Sequence, residues 1–167
     1  PAFFQPQPLL SLVTREAPTL IVACGMALVI ICRQIDISVG SQFSVCSVCA
    51  GLLAVRGWPL PLVLGASVGL GALMGAINGW LVAGLRLPSI VVTIGTMSLF
   101  RGLSYIALGD GAYTGYPAGF GWFGQGYVWW VVSFELALFL VAAAVYGFLL
   151  HRTSAVSDKD GRFSFEA

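Results

Sequence analysis

The stretch LPLVLGASVGLGALMGAINGWLVAGL, residues 60–85, carries no charged side chain from end to end. A helix that crosses a membrane needs about 20 apolar residues, because hydrocarbon about 30 Å thick is climbed at about 1.5 Å per residue. This run is long enough, and Arg86 closes it. Four further apolar runs bracket it: 17–32 closed by Arg33, 39–55 closed by Arg56 and Gly57, 88–108, and 127–150 closed by His151 and Arg152. Lipid offers no partner to open backbone groups, so all five are expected to be helical. None shows the ten-residue alternation of a membrane β-strand. The expected fold is all-α: a polytopic transmembrane helical bundle of about five membrane helices. Residues 1–153 form the membrane domain. Residues 154–167, where Asp158, Lys159, Asp160, Arg162 and Glu166 concentrate, are expected to be a solvated, disordered tail.

Composition supports this reading. Of 167 residues, 58% are hydrophobic and only 9% charged, with a net charge of +1, and the mean hydropathy is +0.92. A soluble domain devotes about a quarter of its residues to charge, so this chain cannot cover a water-facing surface. Disordered chains are polar and charged, which this one is not. No basic face is available for phosphates, so no nucleic-acid partner is expected. Cys24, Cys32, Cys46 and Cys49 all lie in apolar runs. Cys46 and Cys49 have the spacing of half a metal site, but no second pair or nearby histidine completes it, so they read as two thiols on one helix face and no metal is expected. His151, the single histidine, reads as an interface residue. The chain begins at Pro1 without a basic-then-apolar leader, so a fragment or a processed product is expected.

Charge sets an expected orientation. With five crossings, Arg33, Arg86, Arg152, Lys159 and Arg162 fall on one side, and Arg15 and Arg56 on the other. The excess of positive charge marks the cytoplasmic side. The N-terminus, the 56–59 turn and the 109–126 loop then lie outside, and the C-terminus inside. Trp58, Trp122, Phe123, Tyr127, Trp129 and Trp130 gather at the outer boundary and Trp80 near the inner one, as amphipathic rings prefer.

Several polar residues stand inside the apolar runs. Gly71, Gly75 and Gly79 recur at four-residue spacing, beside Ala72 and Ala76; such a stripe lets another helix approach closely, within one bundle or between two copies. Asn78 sits in that stripe and must face protein, since an unpaired amide is costly in lipid. In the turn 33–41, Asp36 or Ser38 can accept from the free N–H groups that start the next helix. The same turn can also be a broken-helix element where unwound backbone lines a substrate path. Ser89, Thr93, Thr96 and Ser104 fall near one face of the fourth run. Arg101 lies about seven residues from the outer end of that run and Glu135 about eight residues into the fifth, so both are expected roughly 10–12 Å deep. Matching depth suggests that they pair or that both face water. The glycine-rich 109–126 loop lacks the preceding strand and the Gly-Lys-Ser/Thr of a phosphate loop, so it reads as a connector or as a docking surface for an external partner. No catalytic constellation emerges: there is no His-Glu-x-x-His, no Gly-x-Ser-x-Gly, no pair of membrane aspartates and no ATP-binding motif.

Three motifs in order carry a resemblance. Ile35-Asp36-Ile37-Ser38-Val39-Gly40-Ser41 resembles the Asp-Leu-Ser-Val-Gly-Ser signature of permease subunits of bacterial carbohydrate ABC importers. Gly75-Ala76-Ile77-Asn78-Gly79 resembles their Gly-x-x-Asn-Gly segment. The stretch from Leu87-Pro88-Ser89 through Thr93-Ile94-Gly95-Thr96-Met97 resembles their Pro-x-Ile-Val-x-Thr-Leu-Gly-Thr-Met element, with Arg101-Gly102 following. The resemblance covers about residues 1–153 and is nearest to the ribose, rhamnose and autoinducer-sugar branch. It implies a multi-pass inner-membrane protein that pairs with a second permease subunit. Cytoplasmic ATP-binding subunits would drive it and a periplasmic sugar-binding protein would deliver solute. Membrane lipid is its solvent, and no cofactor is implied. Family members usually carry another helix ahead of Pro1 and a coupling segment with more helices after Leu150; residues 154–167 do not match, as a truncated or frameshifted product would not.

The expected function is therefore a membrane-spanning component of an ATP-driven sugar importer, catalysing no reaction on its substrate. Asp36, Ser38, Asn78, Thr93, Thr96, Arg101 and Glu135 are the substrate-pathway candidates, and Gly71, Gly75 and Gly79 the helix-packing ones. The alternatives are a non-transporting interaction subunit or inactive truncated remnant, and an intramembrane enzyme, which the missing catalytic groups disfavour.

Overall fold

The computed structural model describes residues 6–117, 119–121, 127–128, 132–152, 156–157 and 163–164. Among the described residues it is mostly helical, with two very short β-ladders. The helices are α1 (Pro6–Ile31), α2 (Val39–Val55), α3 (Leu60–Gly79), which runs on as a π-turn (Trp80–Gly84), α4 (Ser89–Leu108) and α5 (Phe134–Arg152). Strand β1 (Tyr127–Val128) pairs antiparallel with β2 (Val132–Ser133), Tyr127 opposite Ser133. Strand β3 (Val156–Ser157) pairs antiparallel with β4 (Phe163–Ser164), within the stretch expected to be disordered; the rest of that stretch lies outside the described residues. By length and composition, the segments Leu60–Gly84 and Ser89–Leu108 are apolar enough to cross a membrane, and Val39–Val55 and Phe134–Phe148 are shorter apolar helices.

Three boundaries differ from those read in the sequence. Helix α1 starts at Pro6 rather than near residue 17 and carries Pro18 inside it. Proline costs an interior hydrogen bond but does not forbid a helix whose neighbours are good formers, and the leucines ahead of Arg15 are such formers. The third helix changes to π geometry for its last turn. The fifth begins at Phe134, not at residue 127. The run from Tyr127 to Ser133 is aromatic and β-branched, residue types that fit a pleated ribbon better than a helix. Its ladder satisfies backbone groups that the helix was expected to satisfy. Of the aromatic residues expected at the outer boundary, Trp122, Phe123, Trp129 and Trp130 lie outside the described residues.

The chain divides into two compact units, residues 28–122, and residues 1–27 with 123–167. In the second of these, Gly25 of α1 lies beside Tyr146 of α5; a methyl group at Gly25 would sit 3.6 Å from the Tyr146 hydroxyl. In the first, α2 is the central helix, packed on α4 along one side and on α3 along the other. Ser38 at the start of α2 meets Asn78 near the end of α3, and Cys46 reaches Ser67 O at 3.5 Å, so α2 and α3 run antiparallel. Ala54, Val63, Met74, Val92 and Phe100 are the buried apolar contacts between the three helices. The outward faces carry Val68, Leu73, Val91, Leu99, Leu103 and Ile106, all exposed, as surfaces meant for lipid or for further protein are.

Helix ends follow one pattern. After α2, Gly57 N–H bonds Ala54 O and Trp58 N–H bonds Leu53 O, with Gly57 at φ +78°: a Schellman ending, for which glycine is the usual choice. After α1 the same paired bonds run from Arg33 N–H to Ile30 O and from Gln34 N–H to Val29 O, but the left-handed residue is Arg33, at φ +58°. Arg86, after the π-turn, is left-handed too, at φ +56°.

The loop after α4 folds back over α2. Tyr113 donates its hydroxyl to Ala107 O at 2.8 Å, and Tyr116 stacks on Phe120 with ring centroids 5.1 Å apart. Gly51 of α2 is buried beneath these rings, where an added methyl would lie 3.0 Å from the Tyr113 ring and 3.2 Å from the Tyr116 hydroxyl. Gly51→Val is therefore expected to destabilise the fold by about 1–3 kcal/mol through overpacking. A Tyr113→Ala background should remove much of that penalty, as read by denaturant unfolding of the detergent-solubilised protein.

Candidate functional site

Between α1 and α2 the chain is not helical. The bonds of this segment place it against the start of α4 and the last turns of α3. Ile35 N–H bonds the Ser89 hydroxyl at 3.3 Å, and the Thr93 hydroxyl makes a long 3.5 Å contact to Ile35 O besides one of 3.4 Å to Ile90 O. Three residues on, Asn78 Nδ2 donates to the Ser38 hydroxyl at 2.8 Å. Asn78 lies about 9 Å along the axis from the end of its helix at Gly84. The break thus lies beside the start of α4 and the last turns of α3, and its buried polar groups need internal partners.

Those partners centre on Ser38, which is fully buried. Its hydroxyl donates to Asp36 Oδ1 at 2.6 Å and accepts from Gln42 Nε2 at 2.7 Å and from Asn78 Nδ2. One donor and two lone pairs are all used. Asp36 Oδ1 also accepts from Ser38 N–H at 2.8 Å, and its Oδ2 lies 3.5 Å from Gln42 Nε2. Ser41 Oγ returns a bond to Ser38 O at 2.7 Å. The capping expectation is not met: Asp36 accepts the N–H of Ser38, the residue ahead of the helix, and Ser38 occupies the cap position but makes no side-chain cap bond, because its hydroxyl is committed to Asp36, Gln42 and Asn78. Gln42, which sequence reading overlooked, is the fourth member; its signal was its place one turn after Ser38 on the same helix face. Asn78 is 5% exposed, and its Oδ1 has no hydrogen-bond partner among the described residues.

A groove of about 410 Å³ runs beside this network, walled by Val29, Gly75, Gly79 and Val82 and edged by Asp36, Asn78, Ser89 and Thr93. It gathers three of the expected pathway residues, Asp36, Asn78 and Thr93, with Ser38 beneath them. Thr96 belongs to neither this groove nor the second cavity described below; it is buried and bonds back to Val92 O at 3.0 Å. Thr93, Thr96 and Ser104 do share one buried face of α4, as their spacing indicated. The glycine stripe divides. A methyl at Gly71 would stand 3.6 Å from Cys46 Sγ, so Gly71 serves packing on α2, whereas nothing lies within 4 Å of such a methyl at Gly75 or Gly79.

Arg101 lines the second cavity, between α2 and α4. Glu135 stands in the first turn of α5, where an acidic side chain complements the helix dipole. It is not eight residues into its helix, because that helix starts at Phe134, so the depth match with Arg101 is lost. The two residues belong to different units of the chain.

Hydroxyls that bond their own helix, a break lined with hydrogen-bonded side chains and long apolar helices define a membrane-type helical bundle. Residues 9–155 match the family described as branched-chain amino acid transport system / permease component, and the chain belongs to that family. It is similar to the autoinducer 2 import system permease protein LsrC of Enterobacter sp. (strain 638), 38% identical over 71% of this chain and 34% of that protein. The LsrC proteins of Escherichia coli (strain SMS-3-5 / SECEC), 43% identical over 65% of this chain and 32% of theirs, and of Salmonella paratyphi B (strain ATCC BAA-1250 / SPB7), 40% identical over 60% and 29%, are also similar. The chain spans about a third of the length of these curated relatives. No solved structure matches it.

Ser38→Ala strands the Gln42 and Asn78 amides together and is expected to cost about 1–3 kcal/mol. Asn78→Leu loses one bond but also removes the orphan Oδ1, so it should cost less. Denaturant titration in detergent gives the order; a larger loss for Asn78→Leu would mean that Ser38 is not the centre.

Proposed function

We propose that the chain forms part of the solute pathway of an ATP-driven importer, and that the solute is a small sugar-like polyol. The observation that carries this reading is the break at residues 34–38, packed on the start of α4 and the last turns of α3 and opening on a groove edged by Asp36, Asn78, Ser89 and Thr93. Broken helices are what carriers use to present backbone and side-chain polar groups to a solute. The relatives' printed names supply the import function, and the polar groove edge supplies the preference for hydroxyls. Arg101 and Glu135 complete the candidate set, each facing water or solute along the route. The energy would come from cytoplasmic ATP-binding subunits and the solute from a periplasmic binding protein, with a second permease subunit closing the pathway. The chain would do no chemistry on the solute. Arg33 and Arg86, both left-handed helix ends on one side, support a cytoplasmic placement for that side, and hence an external N-terminus and a cytoplasmic C-terminus.

A second reading rests on Gly75 and Gly79, whose open face suits a close helix neighbour: an interaction subunit that moves nothing. The two readings part on uptake. In cells whose import of the solute depends on this chain, Asn78→Leu should lower uptake by about tenfold or more with the membrane level unchanged, since the groove loses its buried polar edge. Unchanged uptake favours the interaction subunit. Orientation has its own test: alkaline phosphatase fused after Trp58 should be active and after Arg86 inactive, and the reverse pattern inverts the placement.

A further inference from the structure

The second cavity, of about 290 Å³, is a different chemical environment from the groove. It is bounded by Gly40, Ser41 and Ser44 of α2 and by Arg101, Ser104 and Tyr105 of α4. Ser41 and Ser104, both buried, spend their protons on Ser38 O and Phe100 O, so their oxygens are left as acceptors. The hydroxyls of Ser44 and Tyr105 have no partner among the described residues. Gly40 stands at the second position of α2, where a backbone N–H has no acceptor within its own helix, and no atom lies within 4 Å of a methyl built there. Donors and acceptors are therefore both present around the cavity, as a polyhydroxylated ligand requires. The guanidinium adds a full charge. No carboxylate lines the cavity, and Arg101 forms no ion pair among the described residues. Asp36, the acidic residue nearest in sequence to this part of α2, is occupied by Ser38 and Gln42. A cation about 10 Å inside a membrane helix calls for water or a counter-charge. A planar five-donor fork is suited to a carboxylate or phosphate.

We infer that this cavity binds the anionic group of a sugar acid or sugar phosphate on Arg101, with the serine and tyrosine hydroxyls reading the remainder of the solute. The inference rests on the pathway reading above and narrows its solute from polyols in general to charged ones. It also gives Arg101 a ligand as counter-charge in place of Glu135.

Equilibrium dialysis of the full chain in lipid nanodiscs tests it, with radiolabelled D-ribose, D-ribonate, D-ribose 5-phosphate and inorganic phosphate as probes. Ribonate, ribose 5-phosphate or both should bind about tenfold tighter than ribose; which of them does so tells a carboxylate solute from a phosphate one. Arg101→Gln should abolish that preference, and Arg101→Lys should keep part of it. Ser44→Ala should weaken all sugar probes alike. Circular dichroism and retention in the membrane fraction show that each variant is folded. If ribose binds as tightly as both anions, or if the preference survives Arg101→Gln, the charged-solute inference fails while the polyol pathway stands. Phosphate alone binding as well as ribose 5-phosphate also overturns it, as a cation that reads no sugar. If no probe saturates, the cavity is not a site, and the uptake result with Asn78→Leu still decides the pathway reading separately.

Discussion

A buried hydroxyl with its full complement of partners holds this structure together. The chain leaves helical geometry between α1 and α2, and a backbone or amide group buried there without a partner costs on the order of 1–3 kcal/mol. Ser38 resolves several of these at once by giving its proton to Asp36 and accepting from Gln42 and Asn78. One atom thereby ties the break, the first turn of α2 and the last turns of α3. The geometry also fixes which way the amide of Asn78 faces, and so leaves its oxygen as the group without a donor.

Around that point the three helices divide their labour. Helix α2 is pinned on both flanks, whereas α3 and α4 each keep an outward face of large aliphatic side chains. The hydroxyls of α4 mostly bond their own backbone, which satisfies them without a second helix and lets Thr96 sit in the seam as a small, apolar-like residue. Two places keep unspent polar capacity, the groove beside Asn78 and the cavity at Arg101. They are lined by different residues: the groove has the Asp36 carboxylate at its edge, and the cavity has the Arg101 guanidinium.

The architecture was legible wherever hydrophobic length decided it. The bounds of α2 were read to the residue, and those of α4 within one, because charged or turn-forming residues stop both runs abruptly. Asp36, Ser38 and Asn78 were legible as polar residues that must face protein, and the structure brings them together. What the sequence hid depended on three-dimensional competition. Ser38 looked like a helix cap, yet a buried amide on α3 competes for its hydroxyl and wins. Gln42 looked like an ordinary first-turn residue. The segment from Tyr127 to Ser133 passed as helix because hydropathy does not distinguish an apolar ribbon from an apolar helix; its β-branched and aromatic content was the available clue. That misplacement carried Glu135 with it, since depth counted from the wrong start gives the wrong depth.

The left-handed arginines at 33 and 86 combine two jobs that are usually kept apart. A glycine in either place would end the helix with less backbone strain but would be free to slide past a boundary. An arginine ends the helix and anchors it, so shifting either segment by one residue along the bilayer normal must drag a guanidinium toward oil. Register and stop signal are thus written into the same side chain.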